Sequence, residues 1–573
     1  MDLPGRSGAG KSTVVNHFLS LHRDDPNSLI LSGRCYAQET VPYKAIDELI
    51  DSICRMLSRL PRDELLSVLP RDLKFLVRLF PVLSRIPIIE KMVANGSETN
   101  TLELDQIRPV AFRSLRDLLI RLSDRYRLIL FIDDVQWGDI DSAQLIASIL
   151  RPPDQPRVFI LLSYRSEEAS TSPFLLELLK SADMLQVRRS LIPIEPLSHE
   201  TSISYVKERL ANLDISPEWA ESIVARSGGI PFFLNELCEE LQLMHDSATS
   251  SMTTTCDPSI QAGLHELVWR RYQRLDIALT QALELIAVAA RPLEISLMQD
   301  YQGSSFSQRT ISQLAQSRLT RTIGFDEDVR IVTYHDIIRE SIVAKTAPET
   351  QVKIHAWLAN YLERAEEQST DLLAHHWLAA GEPLKAGTYL VRAAQSALDS
   401  FAFDRSVNLF KQAIELLKPE GKQRLEILES LADAQTRAGY CIDVAETYCL
   451  LESCGLQEDT NRNWKYLWKA AHYYYLAGKV AAARQVTKRF AKILGIPFPD
   501  TQAKLVFAIL LENILLQWDY YLGSRKQPTD KEFRRPSNDR IVQAVSGYAI
   551  LPRGRVLRCL RSTLGRSVVL SSG

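Results

Sequence analysis

Three short apolar runs in the first third of the chain alternate with amphipathic helical stretches. The runs cover residues 28–36, 128–134 and 157–165, and polar residues bound each of them. Short runs of this kind are typical of strands that are buried on both faces of a parallel sheet. Their alternation with helices predicts an α/β domain, to which we assign residues 1–196.

The pattern beyond this domain is mostly helical. Residues 197–245 predict a group of helices, and the Ser/Thr-rich segment 246–257 is typical of a linker. Within 258–345, several short helices precede two β-prone runs, 319–323 and 330–334, which predict a hairpin. Helices followed by a small hairpin indicate a winged-helix-like domain.

Residues 350–520 predict helical repeats, because Ala, Leu and Tyr recur there at helical spacing. Ala-Gly pairs at 438–439 and 477–478 each lie between two amphipathic helices, and 379–394 resembles a degenerate earlier copy. The spacing suits tetratricopeptide-like (TPR-like) repeats, and we attribute the small residues to close approach of the paired helices. Residues 521–573 are basic and lack this periodicity, so a nucleic-acid arm and a poorly folded terminal region both remain open.

Composition limits the class of protein. A chain of 573 residues is too long for one core, and 46% hydrophobic with 24% charged residues is ordinary for globular proteins. The net charge of −2 gives no general reason to expect nucleic acid or an anionic membrane as a partner. The eight cysteines show no CxxC spacing, and the apolar stretch 505–518 is too short to span a bilayer. We therefore expect a cytoplasmic protein without a membrane partner.

Candidate chemistry begins at "GRSGAGKS", which matches the phosphate-binding pattern G-x-x-x-x-G-K-[ST] through Gly5, Gly10, Lys11 and Ser12. Glycines allow backbone N–H groups to surround phosphate oxygens, and a lysine balances the phosphate charge. The serine hydroxyl completes the coordination of Mg²⁺. An amphipathic helix comes next, and its N-terminus favours anions. A Gly/Ser-rich turn without function is the alternative.

The run "LILFIDD" ends in Asp133 and Asp134, as the second half of a P-loop ATPase site does. The first acid would hold Mg²⁺ through water, and the second would orient or deprotonate the attacking water. Arg165 ends the next strand candidate, where it either reaches a γ-phosphate or is a solvated side chain. Pro231 comes after two glycines and lies in the first turn of a predicted helix.

The order of P-loop, "FIDDVQWGDIDS", "YRSEE", "GGIPFF" and a winged-helix-like segment resembles the STAND class of signal-transduction ATPases, within the AAA+-like P-loop group. The segments "SGRCYAQETVPYKAIDELID" and "VTYHDIIRESIV" look like the ATPase module of large bacterial PknK-type Ser/Thr kinases, which are related to MalT-like regulators. The resemblance covers about residues 5–500.

The resemblance implies a switch. ADP would be held between the P-loop domain, the helical lid and the winged helix, and ATP would open the molecule. The helical repeats would sense a signalling protein or a small-molecule inducer, with self-association possible. It implies nucleotide contacts at Gly5, Gly8, Gly10, Lys11, Ser12, Thr13, Pro231 and His335. It further implies Mg²⁺ at Ser12 and Asp133, and catalytic or sensing roles for Lys11, Asp134 and Arg165.

The chain also departs from this family. It has no kinase signature, and only four residues precede Gly5, so we expect the first strand, which would pair with 128–134, to be missing. On that reasoning the chain is an internal fragment, or its start is misjudged, and it binds nucleotide weakly or not at all.

Two other functions remain open. The first is a DNA-binding regulator or origin-recognition-like ATPase that reads DNA through 307–319. That segment carries only Arg309 and Arg318 as basic residues, which disfavours direct DNA binding. The second is a scaffold with a vestigial ATP site.

Overall fold

The computed structural model describes the chain in ten stretches, with the ranges 1–36, 42–95, 104–185, 187–213, 217–247, 264–303, 306–323, 329–364, 369–454 and 460–493. The chain divides into two units, Met1–Arg405 and Ser406–Gly573. Most of the predicted linker, the end of the predicted repeat region and the whole basic tail at 521–573 lie outside the described residues.

The predicted apolar runs form a parallel sheet in the first unit. Its strands are β1 (Asp2–Gly5), β2 (Ser28–Arg34), β3 (Arg127–Asp133) and β4 (Val158–Arg165). Their spatial order is β1-β4-β3-β2, and every neighbouring pair is parallel. Residues 128–133 of β3 are all buried, as expected for a strand that is covered on both faces.

The first strand is present, which corrects the expectation that it is missing. β1 pairs with β4, not with β3 as expected, in a register that places Leu3 opposite Ser163. On its other side, three backbone hydrogen bonds of 2.7 to 2.9 Å join Asp2 and Pro4 to residues 190–194. Pro4 has no N–H to donate, but its carbonyl accepts one of these bonds. Four residues therefore suffice for a strand with partners on both sides.

Helices cover both faces of the sheet. On one face, Val15 and Leu19 of the helix after β1 pack with Leu3, Ile129 and Phe131. Helices of the opposite face surround Leu130 and Ile132 of the same strand. The helices of this domain are α1 (Lys11–Arg23), α2 (Lys44–Leu57), α3 (Arg62–Val68), α4 (Leu73–Leu79), α5 (Pro87–Ala94), α6 (Leu104–Ser123), α7 (Ile140–Ile149) and α8 (Pro173–Met184).

Three helices lie where the lid is predicted, namely α9 (His199–Arg209), α10 (Pro217–Ser227) and α11 (Pro231–Ser247). They share a hydrophobic core, to which each of the three helices contributes buried side chains. The last of them extends two residues into the segment that the sequence assigns to the linker. The lid is therefore a small helical unit with a core of its own.

The next part of the chain, which we call the three-stranded module, combines five helices with an antiparallel sheet. Its strands β5 (Leu293–Glu294), β6 (Thr320–Ile323) and β7 (Arg330–Thr333) lie in the order β5-β7-β6. The pairing of β6 with β7 confirms the predicted hairpin. The helices are α12 (Leu264–Gln273), α13 (Ile277–Ala289), α14 (Ile295–Gln302), α15 (Gln308–Gln316) and α16 (Asp336–Lys345).

Helical pairs make up the rest of the described chain. In the first unit these are α17 (Pro348–Arg364), α18 (Thr370–Ala379) and α19 (Pro383–Asp399), and α20 (Phe403–Leu417) crosses into the second unit. The second unit continues with α21 (Gly421–Ala438), α22 (Cys441–Cys454), α23 (Thr460–Leu476) and α24 (Val480–Ile493). The two Ala-Gly pairs lie at the ends of α21 and α23, where the chain turns, as predicted. Among the described helices, none is long and apolar enough to cross a membrane.

Candidate nucleotide site

The predicted phosphate loop connects β1 to α1. Gly10 is the N-cap of α1 with φ of 92°, and among the described residues no side chain caps this helix end. The N-terminal N–H groups of α1 are thus suited to an anion. Lys11 lies over the loop, and its Nζ donates to the carbonyls of Gly5 at 2.9 Å and Arg6 at 3.0 Å. Burial lowers the pKa of Lys11, although the nearby Asp133 and Asp134 act in the opposite direction.

Ser12 and Asp133, the two predicted magnesium ligands, are in direct contact. The Ser12 hydroxyl donates to Asp133 Oδ2 at 2.8 Å, and the Ser163 hydroxyl donates to Oδ1. Burial and the neighbouring Asp134 raise the pKa of Asp133. A hydroxyl beside a buried carboxylate is an all-oxygen donor set of the kind that Mg²⁺ prefers. These residues therefore fit the predicted metal ion.

Asp134 has a left-handed backbone conformation and a neutralising partner. Its φ is 57°, which is uncommon for a residue with a side chain. Arg34 forms an ion pair with its Oδ2 at 2.7 Å, and Gln136 donates to its Oδ1 at 3.1 Å. Sequence reasoning missed Arg34. The available signal was its position at the carboxyl end of β2, where ligands bind parallel sheets.

Arg165, predicted as a phosphate sensor, contacts acids. Its guanidinium donates to Asp336 at 2.7 Å and to Glu340 at 3.3 Å, both on α16, and to Glu168 at 3.2 Å. Burial raises the pKa of Asp336, but Arg34, Arg165 and the other basic groups nearby together lower it by more, so the net pKa is below its ordinary value. In this arrangement Arg165 therefore joins the sheet domain to the three-stranded module.

The lid reaches the phosphate loop through the start of α11. The N–H of Phe232 donates to the Gly8 carbonyl at 3.2 Å, and a Cβ on Gly8 would lie only 3.1 Å from Phe232 Cβ. The Phe232 ring stacks on His335 with centroids 4.2 Å apart. His335 Nδ1 accepts from the N–H of Ile337 at 3.2 Å and so caps α16. Burial lowers the pKa of His335 to about 4.

These elements enclose a cavity of about 620 Å³. All predicted site residues line it except Gly5, whose carbonyl accepts a hydrogen bond from Lys11. Those lining residues are Gly8, Gly10, Lys11, Ser12, Thr13, Asp133, Asp134, Arg165, Pro231 and His335. The lining residues that the sequence analysis did not single out include Arg34, Phe232, Arg321, Asp336 and Arg339. The walls thus come from the sheet domain, the lid and the three-stranded module.

Comparison with known families supports the assignment of the first domain. Residues 3–161, from β1 into β4, match the AAA ATPase domain family. Fold, site geometry and this match assign the first domain to the P-loop ATPases of the AAA group. The recognition made from the sequence motifs, a STAND-class P-loop ATPase within that group, agrees with this class.

The proteins that are similar to the chain include the following three. A STAND protein with a tetratricopeptide repeat sensor from Pyrococcus horikoshii is 16% identical, with a TM-score of 0.40 over 96% of this chain and 76% of that one. A Walker-type ATPase of Pyrococcus abyssi is 18% identical, with a TM-score of 0.29 over 60% of this chain and 90% of that one. An uncharacterised protein of Rhizobium meliloti (strain 1021) is 23% identical over 322 residues, or 54% of this chain. The matched part of the chain spans 30% of that relative's length.

Proposed function

We propose that this chain is an ATP-dependent regulatory switch of the STAND kind, in which ATP or ADP binds the cavity together with Mg²⁺. The main support for the proposal is that three parts of the chain contribute residues to one cavity. The phosphate loop and Asp133 belong to the sheet domain, Phe232 belongs to the lid, and His335 belongs to the three-stranded module. A ligand in this cavity contacts all three parts at once, so its binding is linked to their association.

The residues divide the work of nucleotide binding. Lys11 and the N-terminus of α1 bind the phosphates, while Ser12 and Asp133 hold the metal ion. Asp134 orients water, and its ion pair with Arg34 keeps the carboxylate in place. ATP would supply a phosphoanhydride bond, and release of the phosphate after hydrolysis would remove negative charge from the cavity. The expectation of weak binding depended on a missing first strand, and with β1 in place that reason no longer holds.

The switch acts on the Asp336 link, which we define as Asp336 together with Arg34 and Arg165. Asp336 lies 2.7 Å from one guanidinium and 3.4 Å from the other. Both arginines line the cavity, so a γ-phosphate competes with Asp336 for them. ADP leaves the link intact and ATP weakens it, which makes the association of the sheet domain with α16 depend on the bound nucleotide.

The wider role rests on the sequence resemblance. We propose a cytoplasmic signalling ATPase associated with a Ser/Thr kinase, with slow turnover and helical repeats that sense an inducer or a partner protein. The hairpin β6–β7 and its helices would act as a winged-helix-like contact to the nucleotide. Arg318 forms an ion pair with Glu239 of the lid, which offsets its positive charge and further disfavours a DNA-reading role.

Calorimetric titration of the purified chain with MgATP and with MgADP tests the proposal. We expect saturable binding of both nucleotides, and we expect Lys11→Ala to weaken it at least about tenfold, because a charge-assisted contact to phosphate is worth roughly 1.5–3 kcal/mol. Lys91→Ala on α5 removes an exposed lysine outside the cavity and is the matched control. No binding by a folded chain, or equal binding by the Lys11 variant, refutes the proposal.

A further inference from the structure

Three histidines form a cluster that the nucleotide switch does not use. His355 lies on α17, while His375 and His376 lie on α18, which packs against α17. One ring nitrogen from each residue lies within 4.8 Å of those of the other two. None of the three lines the nucleotide cavity. We propose that this cluster is a binding site for a divalent transition-metal ion, with Zn²⁺ as the best match.

His376 is the most buried residue of the cluster. The residue is only 1% exposed, and its Nδ1 lies 2.9 Å from Nδ1 of His355. Its Nε2 is buried and has no hydrogen-bond partner among the described residues. A hydrogen bond between the two rings explains the short contact but leaves Nε2 unpaired, at a cost of about 1–3 kcal/mol. A metal ion at the cluster gives a structural reason for burying three imidazoles together.

The charge around the cluster restricts the choice of ion. Arg291 is the charged group that acts on His376, and its positive charge opposes any cation, while Glu294 lies close enough to Arg291 to offset part of it. A site of three nitrogens next to a cation disfavours Mg²⁺ and Ca²⁺, which require oxygen ligands. Zn²⁺ forms strong bonds to imidazole and commonly takes three histidines and a water. His355 and His375 are only partly buried, which leaves room for that water.

The test is a zinc titration of the full chain after treatment with EDTA, followed by calorimetry. We expect one saturable site, and we expect His375→Gln and His376→Gln each to lower the affinity at least about tenfold, since even the loss of an outer-shell partner costs about 10–100-fold. Co²⁺ in place of Zn²⁺ should give the visible absorption of a four-coordinate ion in the wild type but not in the variants.

Controls separate this site from other histidines and from the nucleotide site. His199→Gln removes an exposed histidine that bonds Glu221, and it should leave zinc binding unchanged. Lys11→Ala should also leave it unchanged. Absence of saturable binding, or equal affinity in the His375 variant, overturns the proposal. If His376→Gln fails to fold by circular dichroism, the partly exposed His375 decides the outcome alone.

Discussion

His335 combines three roles at one residue. Its Nδ1 caps α16, its ring stacks on Phe232 of the lid, and its burial keeps the imidazole neutral. The capping bond needs a lone pair on Nδ1, so protonation of that nitrogen removes the cap. A residue that holds two parts of the molecule together in its neutral form makes their contact sensitive to acid.

The stability of the chain should therefore fall as the pH drops from 6.5 toward 4. The pKa of His335 is about 4 in the folded chain and 6.5 as the ordinary value, so the unfolded state takes up the proton first. In His335→Asn the side-chain oxygen can still cap α16 but does not titrate. Chemical denaturation of both proteins at several pH values measures their free energies of unfolding. As the pH falls, the wild type should lose more of this free energy than His335→Asn does, by on the order of 1–3 kcal/mol. A difference between the two free energies that stays constant across this range contradicts the prediction.

The candidate site was predictable where it depends on local spacing. The phosphate loop and the acid pair at the end of β3 are recognisable from short motifs, and the Ser12–Asp133 contact is the one that those motifs predict. Phe232 and Asp336 are not predictable in this way, because they enter the site only through packing of the lid and α16. The partners of Arg165 were missed for the same reason. Chemistry that arises within one loop is visible in the sequence, whereas chemistry shared between domains is not.

At the scale of elements, the first helices of two helical pairs, α21 and α23, end in the same way. Gly439 and Gly478 have φ of 81° and 73°, and a Cβ at either position would meet nothing within 4 Å. The explanation given from the sequence, close approach of paired helices, is therefore wrong for these two glycines. They are required by the left-handed backbone that ends α21 and α23.

Gly439→Ala should destabilise the second unit by about 1 kcal/mol, the cost of a side chain in the left-handed region. Gly439→Asn should cost less, because asparagine tolerates this conformation better than alanine. Urea denaturation followed by far-ultraviolet circular dichroism measures both. Equal losses for the two substitutions would show that space, not backbone conformation, selects glycine here.

β1 shows why a short element escaped prediction. Four residues that include a proline give almost no periodic signal, and their strand character comes from partners far along the chain. The longer strands β2, β3 and β4 were predicted because each spans at least seven residues and contains an uninterrupted apolar run. Sequence patterns thus predicted the sheet domain and the helical repeats, while strand order and the pairing of β1 required the structure.

At the scale of the whole first unit, the Asp336 link connects the sheet domain to the three-stranded module. One carboxylate serves two arginines, which come from the carboxyl ends of β2 and β4. Its side chain is 28% exposed, so the link is partly shielded from solvent without being sealed. Such a link is strong enough to hold two parts together and weak enough to be exchanged for another anion.

Asp336→Asn should loosen α16 while the sheet domain remains folded. The variant keeps the size of the side chain but removes the charge that both arginines share, at a cost of about 1–3 kcal/mol. Hydrogen exchange should become faster in α16 and in β6–β7. Glu340→Gln is the matched control, since Glu340 contacts Arg165 at 3.3 Å and is 42% exposed. Equal hydrogen-exchange rates in the two variants would show that Asp336 does not hold α16 more firmly than Glu340 does.

The stacking of Phe232 on His335 over the phosphate loop also bears on kinetics. Under the proposed function, a nucleotide enclosed by three parts of the chain would leave only when those parts separate, so the opening of the enclosure would limit its release rate together with the phosphate contacts. ADP would then stay bound after hydrolysis for as long as Phe232 and His335 remain stacked. Substitutions in the lid would shorten or lengthen this time without changing any residue that binds phosphate.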